Sequence, residues 1–184
     1  MLPAMREGSE EGAAPASGSD LAQRLLAVSE LRGDFVLSSG KRSAVYFDKF
    51  RFLTDPELLK ELGEAVAGLL PPGVTHLAAP EGAATLLVAA VALRTGLPVA
   101  VVRKEPKAYG TMSQVEGNAP PGATIALIED VSTTGAQVLK AARTLEAEGC
   151  TIGIILLAID RGGGAHLEAE DYWVKSVVRL EPAE

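Results

Sequence analysis

The chain has 184 residues, 47% of them hydrophobic and 22% charged, which is enough to build one domain with a substantial core. Its formal net charge of −7 argues against a nucleic-acid-coating surface, because a phosphate backbone requires clustered Lys and Arg. Two histidines without partner spacing argue against a zinc site. The single cysteine, Cys150, cannot form a disulfide within the chain, which favours the reducing cytoplasm.

The first 18 residues are rich in Gly, Ala, Ser, Pro and Glu, a composition that predicts a disordered tail over residues 1–18. They lack the cationic start and apolar core of a signal peptide. The apolar run at residues 85–93 is too short to span a membrane. We therefore expect a single domain over residues 19–184, with neither a membrane nor a nucleic acid as its partner.

The first third of the domain predicts two helices and a hairpin. Ser19 or Asp20 can cap a first helix, and the segment DFVLSSGKRSAVYFDKFRF (34–52) alternates between apolar and polar residues around a glycine. This alternation predicts strand, turn and strand. The pattern Thr54-x-x-Glu57 is a capping box, so a second helix is predicted to begin there and to end at the sequence PPG.

From residue 75 onward, apolar strand candidates alternate with helical segments. The strand candidates are THLAAP, PVAVVRK, TIALIED and TIGIILLAID, and YWVKSVVRL is a candidate edge strand. Continuous apolar strands separated by helices predict an α/β fold, with an open, mainly parallel sheet covered by helices on both faces. The segment EPKAYGTMSQVEGNAPPG (105–122) shows no periodicity and predicts a long functional or disordered loop.

Polar segments follow four of the predicted strands, and ligands of open α/β sheets bind beyond such strand ends. In EDVSTTG, the backbone N–H groups of residues 132–136 and the hydroxyls of Thr133 and Thr134 can wrap a phosphate at a helix start. The adjacent carboxylates, Glu129 and Asp130, suit the donor hydroxyls of a ribose. The motif therefore indicates a ribose 5-phosphate site. The alternative is an acidic strand end followed by an ordinary helix cap.

Four motifs together resemble one family. ALIEDVSTTGAQV resembles the phosphoribosyl diphosphate (PRPP) motif of type I phosphoribosyltransferases, and VRKEPKAYGT is similar to the Arg-Lys-Glu-x-Lys-x-His/Tyr-Gly signature of the mobile loop in orotate phosphoribosyltransferases. LSSGKRSAVYFD resembles that family's Ser-Gly-x-x-Ser hood segment, and DRGGG resembles its Asp-Arg after the last core strand. The motifs occur in family order within residues 20–164. The resemblance implies a type I phosphoribosyltransferase-like fold, with a small N-terminal hood at about 33–53 and a mobile loop at about 104–121.

The resemblance also implies a reaction. An orotate phosphoribosyltransferase transfers the phosphoribosyl group from PRPP to orotate in de novo pyrimidine synthesis, giving orotidine 5′-monophosphate and pyrophosphate. Mg²⁺ is the implied cofactor, bound through PRPP with no direct protein ligand. A homodimer with shared active sites is implied, because the family's mobile loop often reaches into the neighbouring subunit. Two alternatives stay open: a transferase of this type for another base, and a non-catalytic, PRPP-sensing regulator.

The implied site residues lie in the loop, the strand-end motif and the hood. The residues that the resemblance assigns to PRPP are Arg103, Lys104, Lys107, Tyr109, Glu129, Asp130, Val131, Ser132, Thr133, Thr134, Gly135, Ala136 and Gln137. Lys107, Glu129 and Asp130 are the implied catalytic residues. The residues assigned to orotate are Thr133, Arg161, Tyr46 and Phe47, and Arg161 is expected to grip the carboxylate of orotate through its planar guanidinium.

Two positions depart from the family pattern. Glu81-Gly82-Ala83 stands where many members carry Gly-Gly or Lys-Gly, and Glu81 would repel pyrophosphate unless its side chain turns away. Glu81 thus favours the regulator. Tyr109 stands where many members carry His. A phenol can donate a hydrogen bond, but unlike an imidazole it does not exchange its proton near neutral pH. Finally, Glu129 and Asp130 are expected at the solvent end of a strand, where loss of their charge should cost the fold little.

Overall fold

The computed structural model describes residues 18–36, 40, 42–106 and 113–180. The predictions for residues 1–17, Lys107 and Tyr109 lie outside this part of the chain. The elements in chain order are α1 (Gly18–Ser29), β1 (Glu30–Val36), β2 (Arg42–Phe47), α2 (Phe50–Leu53), α3 (Pro56–Ala67), β3 (His76–Pro80), α4 (Ala84–Thr95), β4 (Val99–Val102), β5 (Val115–Gly117), β6 (Thr124–Ser132), α5 (Ala136–Ala147), β7 (Thr151–Asp160), α6 (Gly163–Ala169) and β8 (Val174–Arg179).

The six-stranded sheet has the strand order β5-β4-β3-β6-β7-β8. All neighbouring pairs are parallel except β4 and β5. One core cluster joins the sheet to α1, α2, α3 and α4, and a second joins it to α5 and α6. The predicted mainly parallel sheet with helices on both faces is therefore confirmed, and β8 confirms the predicted edge strand.

The strand order creates a crevice at one edge of the sheet. The chain passes from β3 outward to β4 in one direction and from β6 outward to β7 in the other. The carboxyl ends of β3 and β6 therefore lie side by side where the winding direction reverses, which is where open α/β sheets bind ligands. The segments that follow β3, β4, β6 and β7 all reach this edge.

The predicted hairpin forms from β1 and β2, which pair antiparallel as a separate two-stranded sheet. The second predicted strand ends at Phe47, however, and residues 50–53 form the short helix α2 instead. The reason is burial: Phe52 and Leu53 are adjacent and both fully buried. Successive residues of a strand point to opposite faces, whereas one helical turn can direct both toward α1 and α3.

The N-cap of helix α3 lies one residue later than predicted. Asp55, not Thr54, is the N-cap, and its side chain accepts hydrogen bonds from the N–H groups of Glu57 and Leu58, each at 3.0 Å. The Thr54 hydroxyl instead donates to Phe50 O and closes α2. Proline fits the first helical position and Asp is a strong acceptor before it, so Asp55-Pro56 overrides the capping box. Helix α1 begins at Gly18, so Asp20 lies in its first turn rather than at its cap.

Besides α2, the sequence pattern did not predict two other short elements. Strand β5 falls within the predicted loop and pairs with β4 at the sheet edge, and α6 follows the DRGGG motif. Both are too short to show periodicity. Within the described ranges, no helix combines the length and apolar character needed to cross a membrane.

Candidate active site

The ends of β6 and β7 bring two of the predicted site segments together. Ser132 and Asp160 are partners in the parallel register of these strands, and the N–H of Arg161 donates to Ser132 O at 2.8 Å. The side chain of Asp160 accepts from the N–H groups of Gly162 and Gly164 and so closes the turn that carries Arg161. Arg161 is thereby held beside the EDVSTTG segment.

The two adjacent carboxyl groups at the end of β6 are buried: Glu129 is 5% exposed and Asp130 has no exposed surface. The expectation that they lie at the solvent end of a strand is therefore wrong. Strand β6 continues to Ser132, so both residues lie inside the sheet. The side chain of Glu129 accepts from the Asp130 N–H at 3.1 Å, and Asp130 forms an ion pair with Lys49 at 3.0 Å.

Burial, followed by the neighbouring charge of Asp130, raises the pKa of Glu129 to about 8. The raised pKa favours the protonated form of Glu129. In that form the pair holds one negative charge rather than two, and that charge has the ammonium of Lys49 as its counter-ion. With one charge paired to Lys49, two acidic residues can adjoin the predicted phosphate turn without repelling a phosphate.

Several buried polar atoms at this edge lack a hydrogen-bond partner among the described residues. They include Asp130 Oδ2, Ser132 Oγ and Arg103 Nε. Buried polar groups in folded proteins are nearly always paired, so unpaired ones indicate the place of a ligand or water. All three atoms belong to residues that the sequence assigns to PRPP.

The turn between β6 and α5 leaves its two threonines exposed. Gly135, with a φ of 75°, is the N-cap of α5 in the left-handed conformation, so the helix has no threonine cap. A Cβ on Gly135 would lie 2.8 Å from Gly163 O, and one on Gly163 would overlap the Ser132 hydroxyl. The turn thus packs glycine against glycine on the start of α6, which leaves Thr133 and Thr134 facing solvent.

Phe47 is the aromatic residue of the hood that contacts Arg161. The guanidinium carbon of Arg161 lies 5.1 Å from the centre of the Phe47 ring, within the range of a cation–π contact. Phe47 also packs edge-on against Phe52. Tyr46 is 42% exposed and packs against Phe35, because consecutive strand residues point to opposite faces. The described contacts therefore join Phe47, but not Tyr46, to Arg161.

The Glu81 side chain contacts the first residues of the predicted loop. Its Oε1 accepts from the Lys104 N–H at 2.8 Å. The Gln114 side chain donates to Arg103 O at 2.9 Å, and Lys140 Nζ donates to Lys104 O at 2.7 Å. These bonds hold the first loop residues through their backbone, and the Lys104 side chain stays exposed.

Lys49 is the site residue that the sequence did not reveal. Lys49 follows Phe47 by two positions, in the sequence Asp48-Lys49-Phe50-Arg51. Nothing in this sequence distinguishes it from an ordinary surface lysine. Its partner Asp130 lies 81 residues further along the chain. No periodicity or motif spacing reaches across that separation.

Comparison with known proteins agrees with this geometry. The crystal structure of orotate phosphoribosyltransferase from Aeropyrum pernix matches with a TM-score of 0.75 and 35% identity, over 87% of this chain and 93% of that one. The Mycobacterium tuberculosis orotate phosphoribosyltransferase matches with a TM-score of 0.76 and 26% identity, over 89% and 96% of the two chains. The fold and the strand-end site define a type I phosphoribosyltransferase.

Proteins with similar sequences identify the family within this class. The orotate phosphoribosyltransferase of Thermococcus gammatolerans is 43% identical over 155 residues, which cover 82% of each chain. No protein-family model matches the chain. At this identity and coverage the assignment is direct: the chain belongs to the orotate phosphoribosyltransferase family.

Proposed function

We propose that this chain catalyses transfer of the phosphoribosyl group from PRPP to orotate, giving orotidine 5′-monophosphate and pyrophosphate. Family membership supports the reaction. The observation that carries the site assignment is the set of buried, unpartnered atoms Asp130 Oδ2, Ser132 Oγ and Arg103 Nε, which belong to residues at or just beyond the carboxyl ends of β6 and β4. A ligand that offers hydroxyl donors, phosphate acceptors and a negative charge would satisfy all three.

The 5-phosphate of PRPP is assigned to the turn that precedes α5. The backbone N–H groups of residues 132–136 and the exposed hydroxyls of Thr133 and Thr134 supply donors, and the start of the helix adds a favourable dipole. The ribose hydroxyls are assigned to Glu129 and Asp130. A protonated Glu129 can both donate to and accept from a hydroxyl, whereas the Asp130 carboxylate accepts.

Pyrophosphate is assigned to the cations of the mobile loop. The loop base is fixed by backbone hydrogen bonds at Arg103 and Lys104, so a cation further along can close over the leaving group from a rigid origin. Lys107 and Tyr109 are proposed to do so on the resemblance alone. The hydrogen bond that the Glu81 carboxylate accepts from the Lys104 N–H supports a structural role for Glu81, and so supports the transferase over the non-catalytic regulator.

Mg²⁺ is proposed to enter with PRPP. Mg²⁺ prefers phosphate oxygens with few protein ligands, and Asp130 already has Lys49 as its counter-ion. The described residues contain no cluster of three or more His, Cys, Asp or Glu side chains placed to hold a metal. Bound through PRPP, the ion would neutralise charge that builds up on pyrophosphate.

Orotate is assigned to Arg161 and Phe47. The guanidinium can form two parallel hydrogen bonds to the carboxylate of orotate, and the Phe47 ring beneath it limits the orientations that Arg161 adopts. The Arg161 N–H donates a hydrogen bond to Ser132 O, so the backbone that carries Arg161 is held at a fixed distance from the turn assigned to the phosphate. Such positioning is the main contribution expected of a protein in a reaction that needs no protein nucleophile.

A homodimer with shared sites and a cytoplasmic location complete the proposal. The dimer is supported by the family resemblance of the loop, and the location by the single cysteine. Verified heterodimers of Lys107→Ala and Asp130→Asn protomers should recover activity in one intact shared site. Absence of recovery would mean that each loop serves its own subunit.

The reaction itself is tested with purified protein, PRPP, Mg²⁺ and orotate, by following the fall in orotate absorbance. Parallel reactions contain uracil, hypoxanthine or adenine. Turnover of orotate alone is expected, because these other bases lack the carboxylate that Arg161 would grip. Turnover of another base in preference to orotate would contradict the substrate assignment, and PRPP binding without turnover of any base would contradict catalysis.

A further inference from the structure

Lys49 joins the hood to the ribose end of the site. It follows β2, and its Nζ lies 3.0 Å from Asp130 Oδ1. The Lys49 side chain is 38% exposed, whereas that of Asp130 is completely buried. The lysine thus connects a buried carboxylate with the crevice surface.

The two oxygens of Asp130 have different environments. Oδ1 accepts from the Val131 N–H at 2.6 Å and from Lys49 Nζ, whereas Oδ2 is buried and has no hydrogen-bond partner among the described residues. Two protein N–H donors therefore hold Oδ1, whereas Oδ2 receives neither of them. An oxygen kept in this way suits a donor that arrives with a ligand.

Charge explains why a lysine is needed here. The carboxyl group of Glu129 lies next along the strand, and the pair is shielded from water. A buried carboxylate without a counter-ion is strongly unfavourable, so Asp130 requires a cation nearby to remain an acceptor. Lys49 supplies that cation from outside the sheet.

Lys49 also belongs to the segment that contacts the base site. Phe47, two residues before it, lies under the guanidinium of Arg161. One short segment of the hood therefore contacts both Arg161 and Asp130.

We propose that Lys49 is a positioning residue for PRPP, which holds the Asp130 carboxylate by Oδ1 and so presents Oδ2 to a ribose hydroxyl. This inference rests on the assignment of Asp130 to the ribose made above. Lys49 touches neither the base nor the reacting carbon in this assignment, and it acts through Asp130.

The test compares Lys49→Met, Lys49→Gln and Lys49→Arg, with Lys60→Met as the control because Lys60 is an exposed lysine of α3. Calorimetry measures PRPP binding in the presence of Mg²⁺, and steady-state kinetics measure the KM for orotate. Removing the charge in Lys49→Met or Lys49→Gln should raise the Kd for PRPP about tenfold or more, with the KM for orotate changed by less than about twofold. Lys49→Arg should recover most of the affinity, and Lys60→Met should bind PRPP like the wild type.

A second comparison separates this inference from the ribose assignment. Asp130→Asn should weaken PRPP binding by itself, and adding Lys49→Met to it should weaken binding little further, because the lysine has lost the group through which it acts. If Asp130→Asn binds PRPP normally, the ribose assignment is wrong. If Asp130→Asn loses affinity while Lys49→Met and Lys49→Gln bind as tightly as the wild type or more tightly, Lys49 is not a positioning residue. An equal loss from Lys49→Met in both backgrounds would likewise overturn the inference.

Discussion

The buried carboxyl group of Glu129 should make the stability of the protein depend on pH. Its pKa is about 8 in the folded protein, against 4.5 for an ordinary glutamate. Between these values the folded state binds a proton that the unfolded state releases, so the free energy of unfolding falls as the pH rises. From about pH 6 to about pH 9 the loss attributable to Glu129 is about 2–3 kcal/mol, and it levels off above the folded pKa.

The substitution Glu129→Gln should remove this dependence. Glutamine keeps an oxygen that can accept from the Asp130 N–H, which Glu129 does at 3.1 Å, but it does not titrate. The free energy of unfolding of Glu129→Gln is measured by urea denaturation followed by circular dichroism. Between about pH 6 and about pH 9 it should fall by about 2–3 kcal/mol less than that of the wild type. Glu64→Gln is the matched control, because Glu64 is exposed on α3 and should leave the wild-type curve unchanged. Parallel curves for Glu129→Gln and wild type would refute a protonated Glu129 at neutral pH.

Three further substitutions test the crevice. Arg161→Ala should lower kcat/KM for orotate by roughly 30- to 1,000-fold while leaving PRPP affinity intact, and equal loss of both would make Arg161 structural. Glu81→Ala should lower kcat by about tenfold, because the Lys104 N–H loses its acceptor. Glu81→Gln keeps an acceptor oxygen and should retain most of the wild-type kcat. Tighter pyrophosphate binding by Glu81→Ala would instead show that Glu81 repels pyrophosphate. Gly163→Ala should lower the unfolding free energy by about 1–3 kcal/mol and weaken PRPP binding, since its Cβ overlaps the phosphate turn. Gly68→Ala, whose Cβ would meet only ordinary contacts, is its control in thermal unfolding and calorimetry.

The amino-acid sequence by itself determined the sheet and indicated the turn to which the phosphate is assigned. The strands β3, β4, β6 and β7 each contain a continuous apolar run, because strands covered on both faces have no polar side, and that pattern is local. EDVSTTG could be interpreted for the same reason: its carboxyl groups, hydroxyls and glycine lie within seven residues. Where two local signals competed, as Thr54 and Asp55 did for the start of α3, the sequence alone did not reveal which one prevails.

Tertiary structure alone decided the electrostatics of the site. The pKa of Glu129 is raised because β6 extends past this residue and buries it, and no sequence pattern states how far a strand continues before it reaches solvent. Lys49 meets Asp130 across 81 residues, and Glu81 turns to Lys104 across 23. The charge of a carboxyl group depends on its distance from water and from other charges, and in this protein both were set by elements far apart in the chain.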